Sequence, residues 1–539
     1  MMSPRYARPS GLLHWLTALA ALLAIFGTAA QARPFRGSVA WSVLLCRFSD
    51  SAAPHHDLAY YRDLFFNAGT GGGADYWNDV SYGSLNFNGS VVQGWFTEGV
   101  TEAQARAQSR DDKINGCVNA ARGGGYNVPA GNHLAVVTDT DIDLFGWNGG
   151  SFLPWQTDIG AFGHEGGHGL GLNHSFSDDP TYRNIDWAQI GEYDDNWDVM
   201  SYANVFGTNT ARFGFGGPGL NGFHADRMGW LSRSRILTFG ADGRSSATVT
   251  LTALSHPEAG GVMLVRLPFD PGDPFHYYTV EYRRNDHWDA GFPAPIVLIH
   301  EIKNIGDTSY SFLLRNRGGD RAPVQSLNAN GIQISVNGVS GNTATVTISS
   351  SYPDRCLQGY VWREATASDH VCVTPQVRQQ ARDDNAQAAS RRQPGGGPYG
   401  PNTCRQGFVW REAVGGDQVC VTPQTRQAAR DDNAQAGNRN NPARFVYGPN
   451  TCKQGYVWRE ADDRDWVCVS PQVRQQTRDD NAQAAARRQP GGGPYGPDTC
   501  RQGFVWREAY PGDHVCVVPQ TRQGARDDNA QAQNRLAHL

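Results

Sequence analysis

The chain has 539 residues and a formal net charge of −5. That length exceeds what one hydrophobic core supports and predicts about three domains or more. The mild acidity excludes a basic face for nucleic acid or for an anionic membrane surface.

Residues 1–32 read as a secretory signal. Arg5 and Arg8 precede an apolar stretch at 12–26, and Ala30-Gln31-Ala32 forms a small-x-small cleavage site. No later stretch is apolar for long enough to span a bilayer, so no membrane span is expected after cleavage. Export agrees with the ten cysteines. Eight fall into four pairs of fixed spacing, the other two are Cys46 and Cys117, and an even count in an exported chain predicts disulfides.

Residues 39–48 carry Val39, Trp41, Val43, Leu44 and Leu45 and predict a buried strand. In 55–67, Leu58, Tyr61, Leu64 and Phe65 fall at helical spacing. His55 and His56 read as solvated loop residues, because no partner spacing supports a metal there. A glycine loop follows at 69–73. Residues 101–121 are polar and alanine-rich and predict a surface helix that carries Cys117 toward Cys46. Residues 133–139 predict a strongly buried strand. Thr157 or Asp158 caps the next helix, whose buried stripe is Ile159, Phe162 and Leu170. Glycines 160, 163, 166 and 167 lower helix propensity, which predicts close packing or room for a metal at those positions.

That helix runs into His164-Glu165-Gly166-Gly167-His168-Gly169-Leu170-Gly171-Leu172-Asn173-His174. On a helix, His164 and His168 lie one turn apart on one face, so two imidazoles can hold one cation. Gly171 lets the chain leave the helix, since glycine tolerates positive φ. The turn returns His174 as a third ligand. Three protein nitrogens with one open position describe a catalytic Zn2+ site. Glu165 sits beside the metal without binding it, placed for general base work.

An acidic stretch follows: Asp178, Asp179, Asp186, Glu192, Asp194 and Asp195. It has two readings, a structural Ca2+ site and a solvated loop, and its spacing matches no defined calcium loop. In Asp198-Val199-Met200-Ser201-Tyr202, Met200 taken alone reads as a core methionine. Residues 221–231 predict a helix in which His224 is a satisfied helix residue. From about 235, short strands separated by Gly, Pro, Asn and Asp predict a β-sandwich of about 110 residues. Glu281 and His300 lie within its strands and are explained by a strand face.

The site motif, with Gly171, His174 and the later Met200, resembles that of the metzincin zinc peptidases. Residues Tyr76 to Leu85 (YWNDVSYGSL) resemble a segment of the gametolysin and immune-inhibitor-A type of secreted peptidase. The resemblance covers about 38–231 well and the β-domain loosely; the repeats described below lie outside it. It implies an α+β fold: a metzincin domain with a twisted mixed sheet and active-site helix at 33–234, then a β-sandwich accessory domain at 235–352. It implies an edge strand within 142–152, antiparallel to bound substrate above the zinc. It implies that Tyr202 hydrogen-bonds the tetrahedral intermediate, as in the astacin and serralysin types. The activity implied is a secreted zinc endopeptidase acting on proteins or peptides. A thiolate at Cys46 masking the zinc is the alternative to its disulfide. The first strand begins so soon after Ala32 that no propeptide is expected.

The C-terminal third is an internal repeat. Cysteines 356, 404, 452 and 500 recur every 48 residues, each followed 16 residues later by cysteines 372, 420, 468 and 516. Four units are expected, at 353–400, 401–448, 449–496 and 497–539. Each reads as two short strands around an acidic turn and then a polar helix opened by proline. A unit this small needs a staple, which predicts Cys356–Cys372, Cys404–Cys420, Cys452–Cys468 and Cys500–Cys516. The glycine-rich linkers at 395–401 and 491–497 differ from the linker at 438–449, which is poorer in glycine. Trp362, Trp410, Trp458 and Trp506 read either as platforms for a cell-surface or polysaccharide ligand or as fillers of a small core. The competing reading of the whole chain is a surface adhesin with an inactive peptidase-like domain; the intact Glu165 argues against it.

Overall fold

The structure is a computed structural model. It describes residues 35–52, 54–240, 246–270, 273, 275–318, 321–350, 356–357, 359–367, 369–439 and 448–537, without the side chains of 202–204 and 437. The signal segment expected at 1–32 lies outside the described residues. The architecture is mixed α+β, with several sheets followed by disulfide-stapled repeats.

The first sheet has five strands in the order Val91–Thr97, Trp41–Arg47, His133–Thr138, Gly150–Pro154 and Phe145–Trp147. The first four run parallel, and Phe145–Trp147 closes the edge antiparallel. Alternation along the second of these strands sorts its side chains onto two faces. Trp41, Val43 and Leu45 face the helix Ile159–Gly169 and pack with Phe162 and Leu170. Leu44 and Cys46 face the opposite way, toward Ile114, Cys117 and Ala121 of the helix Arg110–Gly123. Cys46 and Cys117 form a disulfide with Cα atoms 5.7 Å apart, which fastens that helix to the back of the sheet. The expected surface helix at 101–121 is two helices, Glu102–Arg106 and Arg110–Gly123, and the second is buried along one face. The break occurs where Ser109 caps the second helix by accepting from the Asp112 N–H.

Downstream, two sheets stack around an apolar core that includes Val249, Leu251, Val265, Val280, Ile299, Ile334 and Val346. One sheet is four-stranded, in the order Ser246–Thr252, Thr343–Ser350, Ile332–Ser340 and Ser326–Ala329. The other has six strands, and its last edge strand is Phe176–Ser177, which immediately follows the site motif and pairs parallel with Phe312 and Leu313. The sheet of the sandwich therefore extends into the loop that carries His174.

The back of the six-stranded sheet buries charge. Arg283 donates to both oxygens of Asp289, at 2.8 and 2.7 Å, and to Glu281 at 3.3 Å. His300 Nε2 lies 3.0 Å from Asp195, and all five side chains are buried. Glu281 also accepts from the Gly222 N–H, the first residue of the helix Gly222–Arg227. Such groups are tolerated in an interior only when paired and hydrogen-bonded. Here their partners come from both the first part of the chain and the sandwich. Glu281 and His300 do more than line a strand face: they join the six-stranded sheet to the first part of the chain, through Gly222 and Asp195.

In the repeats, four disulfides join Cys356–Cys372, Cys404–Cys420, Cys452–Cys468 and Cys500–Cys516, each between cysteines 16 positions apart. The four units assemble two by two. In the first pair, buried Arg363 reaches across to the carbonyls of Ala429 and Ala413 and to Asn433. Buried Arg411 makes the matching bonds back to Ala381, Ala365 and Asn385. Backbone bonds close the pair at both ends: Leu357 N–H to the Arg439 carbonyl, and Arg405 N–H to the Arg391 carbonyl. Repeats three and four repeat the scheme through Arg459 and Arg507. Among the described residues no helix is long and apolar enough to cross a membrane. The five disulfides fit an extracellular protein.

Candidate metal centre

The helix Ile159–Gly169 starts at Asp158, whose carboxylate accepts from the Ala161 N–H at 2.7 Å. It ends where Gly171 takes φ +85°, a conformation that favours glycine. The turn allows His174 to come back against the helix. His168 Nε2 lies 3.2 Å from His164 Nε2 and 3.0 Å from His174 Nε2.

The other ring nitrogens decide what these three atoms are. His164 Nδ1 is 2.9 Å from the Val199 carbonyl, and His168 Nδ1 is 2.8 Å from the Leu172 carbonyl. A carbonyl only accepts, so both Nδ1 atoms carry the proton. His174 Nδ1 donates to Glu192 Oε1 at 2.6 Å. Burial, reinforced by the neighbouring imidazoles, pushes His164 well down and His168 down to about 3, which keeps both rings neutral. The Nε2 lone pairs of His164 and His168 therefore converge on a point shared with His174 Nε2, an arrangement that a cation between the three nitrogens satisfies. Tetrahedral zinc with Zn–N bonds of about 2.0–2.1 Å sets its ligand nitrogens about 3.3 Å apart. The two measured separations are close to that, so the donor set fits the ion. A carboxylate on the outer nitrogen of a ligand histidine, as Glu192 is on His174, is the usual support of such a site.

Glu165 is 5 % exposed, and burial pushes its carboxyl up to about 8. The edge strand Phe145–Trp147 lies directly against it. A Cβ at Gly146 would come within 2.6 Å of the Glu165 carbonyl oxygen and 2.9 Å of Oε2. The glycines of the helix are likewise explained by contact. A Cβ at Gly167 would sit 2.6 Å from Met200 Sδ, and one at Gly169 would sit 2.4 Å from the Trp41 ring. Met200 is fully buried and packs below the helix. Tyr202 belongs to the turn Val199–Asn204, but its side chain lies outside the described residues.

Asp198, at the start of that turn, accepts from the Ser175 hydroxyl, from His224 Nδ1 at 2.7 Å and from the Met200 N–H. Burial alone would raise its carboxyl; the His224 and Ser175 partners outweigh burial and hold it below its usual range. It thus ties together the His174 loop, the turn and the helix Gly222–Arg227. His224 serves this carboxylate and lies outside the three-histidine cluster.

The acids after His174 are engaged by protein. Asp178 pairs with Arg317, Asp179 with Arg321, and Asp194 with Arg315 and Arg321. Asp195 pairs with His300 and Glu192 with His174. These pairings occupy five of the six carboxylates on which the calcium reading rested; the sixth, Asp186, is exposed. His55 and His56 stack on Trp155 and Tyr60 with ring centroids 3.7 and 3.8 Å apart.

Sequence reasoning passed over Tyr193. It takes φ +61°, strained for a non-glycine residue, and its ring centroid lies 4.3 Å from that of His174. No periodicity marks it, and only its place next to Glu192 connects it to the site. No family model matches the chain, and no curated protein matches it.

Proposed function

We propose that the chain is a secreted zinc endopeptidase of metzincin type. The observation that carries this reading is the convergence of three Nε2 atoms, from His164, His168 and His174, beside the buried carboxyl of Glu165. These three histidines would hold Zn2+, which when bound supplies Lewis acidity to a water and to the scissile carbonyl.

The rest of the chemistry belongs to the chain. Glu165 takes a proton from the attacking water and hands it to the leaving amine. The outer edge of Phe145–Trp147 ends the five-stranded sheet, so an extended substrate can add to it by backbone hydrogen bonds. Gly146 keeps that strand close enough to the helix to place the scissile bond over Glu165. Glu192 fixes the ring of His174, and Met200 supports the ligand helix from below. Tyr202 is assigned the oxyanion-stabilising role of its counterpart in astacin-like enzymes. The paired repeats are assigned to positioning the enzyme at a surface or glycan.

The test is cleavage of casein or gelatin by the purified full chain, with and without a chelator, beside Glu165→Ala. Chelator-sensitive cleavage that falls by at least 10³-fold in Glu165→Ala is expected. No chelator-sensitive cleavage across several protein substrates would refute the reading in favour of the adhesin.

A further inference from the structure

Ten large apolar side chains are left exposed among the described residues, and three of them fall within six residues of one loop beside the metal centre. These are Ile185 at 38 %, Trp187 at 73 % and Ile190 at 51 % exposure. Single exposed apolar residues need no explanation, whereas a cluster on a fixed surface marks a binding site.

The loop is fixed. Arg183 reaches back to the carbonyls of Asp186 and Ala188, at 3.0 and 2.5 Å. The Gly191 N–H donates to the Tyr182 carbonyl, and the Ser177 N–H to the Gly191 carbonyl. Glu192 accepts from the Gln189 N–H at 2.7 Å with one oxygen while the other holds His174. Trp187 is therefore displayed on a braced frame, which lowers the ordering cost when it meets a ligand. The frame also leads to the site. Trp187 meets the Tyr193 ring edge-on at 6.2 Å, and Tyr193 lies 4.3 Å from His174.

We infer that Trp187, Ile190 and Tyr193 form the subsite that selects a large apolar side chain of the polypeptide substrate. This rests on the peptidase reading. The two ring steps from His174 to Trp187, 4.3 and 6.2 Å, together span no more than about three residues of extended chain. The selected side chain thus belongs to a residue within about three positions of the scissile bond. An extended peptide is the occupant because the surface is continuous with the catalytic groups through these rings. Alternation of side chains along a strand paired at Phe145–Trp147 also directs every second residue to one side.

A peptide-library cleavage profile of the wild type and of Trp187→Ser tests the inference. The wild type should favour Phe, Leu, Met or Trp at one position within three residues of the cut. Trp187→Ser should reduce that preference at least tenfold, the scale on which an apolar pocket discriminates. A wild-type profile without an apolar preference, or one that Trp187→Ser leaves intact, overturns the inference. Failure of the peptidase reading is separated by binding. Dye-labelled peptides of matched length, Phe-rich or Ser-rich, are titrated against Glu165→Gln and against Glu165→Gln with Trp187→Ser, with fluorescence anisotropy as the readout. Tighter binding of the Phe-rich peptide that depends on Trp187 supports the subsite even if the wild type cleaves nothing. Equal binding of both peptides overturns it.

Discussion

A histidine that binds metal is defined as much by its outer nitrogen as by its inner one. His164 and His168 are set by carbonyls of their own neighbourhood, whereas His174 depends on one carboxylate, Glu192, at 2.6 Å. Glu192→Ala leaves the three ligands in place but releases the ring of His174. Zinc affinity should drop about 10–100-fold, as seen when such supporting groups are removed. Competitive titration with a chromophoric chelator measures it; unchanged affinity would mean that His174 is positioned by its loop alone. The three histidines were legible in the sequence because their geometry is local: the first two are four positions apart on one helix face, and one glycine turn brings the third. Glu192 was visible only as one acid among six, since nothing in its spacing shows that the loop doubles back on His174. The arginines that face its neighbours, at 315, 317 and 321, lie more than a hundred residues downstream, beyond the reach of any periodicity.

At the scale of elements, the repeats show how much of a fold resides in pairing. Each unit was readable from the 48-residue period, with its hairpin and its proline-opened helix. The two-by-two assembly was not read, although the linkers mark it. Glycine-rich 395–401 and 491–497 run inside pairs, and the differing 438–449 runs between them. Arg411 is buried and serves Asp417 of its own repeat and three groups of the first. Arg411→Ala leaves the Asp417 carboxylate buried without its charge partner, a loss that costs about 3–5 kcal/mol. Both repeats of the pair should then unfold at a lower temperature together, while the second pair keeps its transition. Calorimetry of the full chain resolves this; two separate transitions within the first pair would show that its repeats are independent.

Over the whole molecule, the second repeat pair is part of the body. The acidic turn of repeat three reads Asp462-Asp463-Arg464-Asp465-Trp466, unlike its three counterparts, and its distinctive residues meet the first domain. Asp462 pairs with Arg36 at 2.9 and 3.0 Å, and Arg464 donates to the Tyr82 carbonyl at 3.0 Å. Trp466 is 2 % exposed and donates to the Leu231 carbonyl, and Arg233 donates to the carbonyls of Asp462 and Asp465. Divergence of one repeat at its turn was the available signal, and it shows its meaning only once the chain is folded. Replacing Asp462 with Ala and Trp466 with Ser should free this pair. The radius of gyration from small-angle scattering should rise, with zinc content unchanged; an unaltered radius would show that the remaining contacts suffice.

The two-residue strand Phe176–Ser177 gives this design a further property. It begins two residues after His174, yet its backbone partners are Phe312 and Leu313. A nick in the loops that bracket those partners would loosen the sheet edge on which the ligand loop rests. On the proposed peptidase reading, a cut there by another copy would silence the cut molecule, because it would disturb the loop that carries His174.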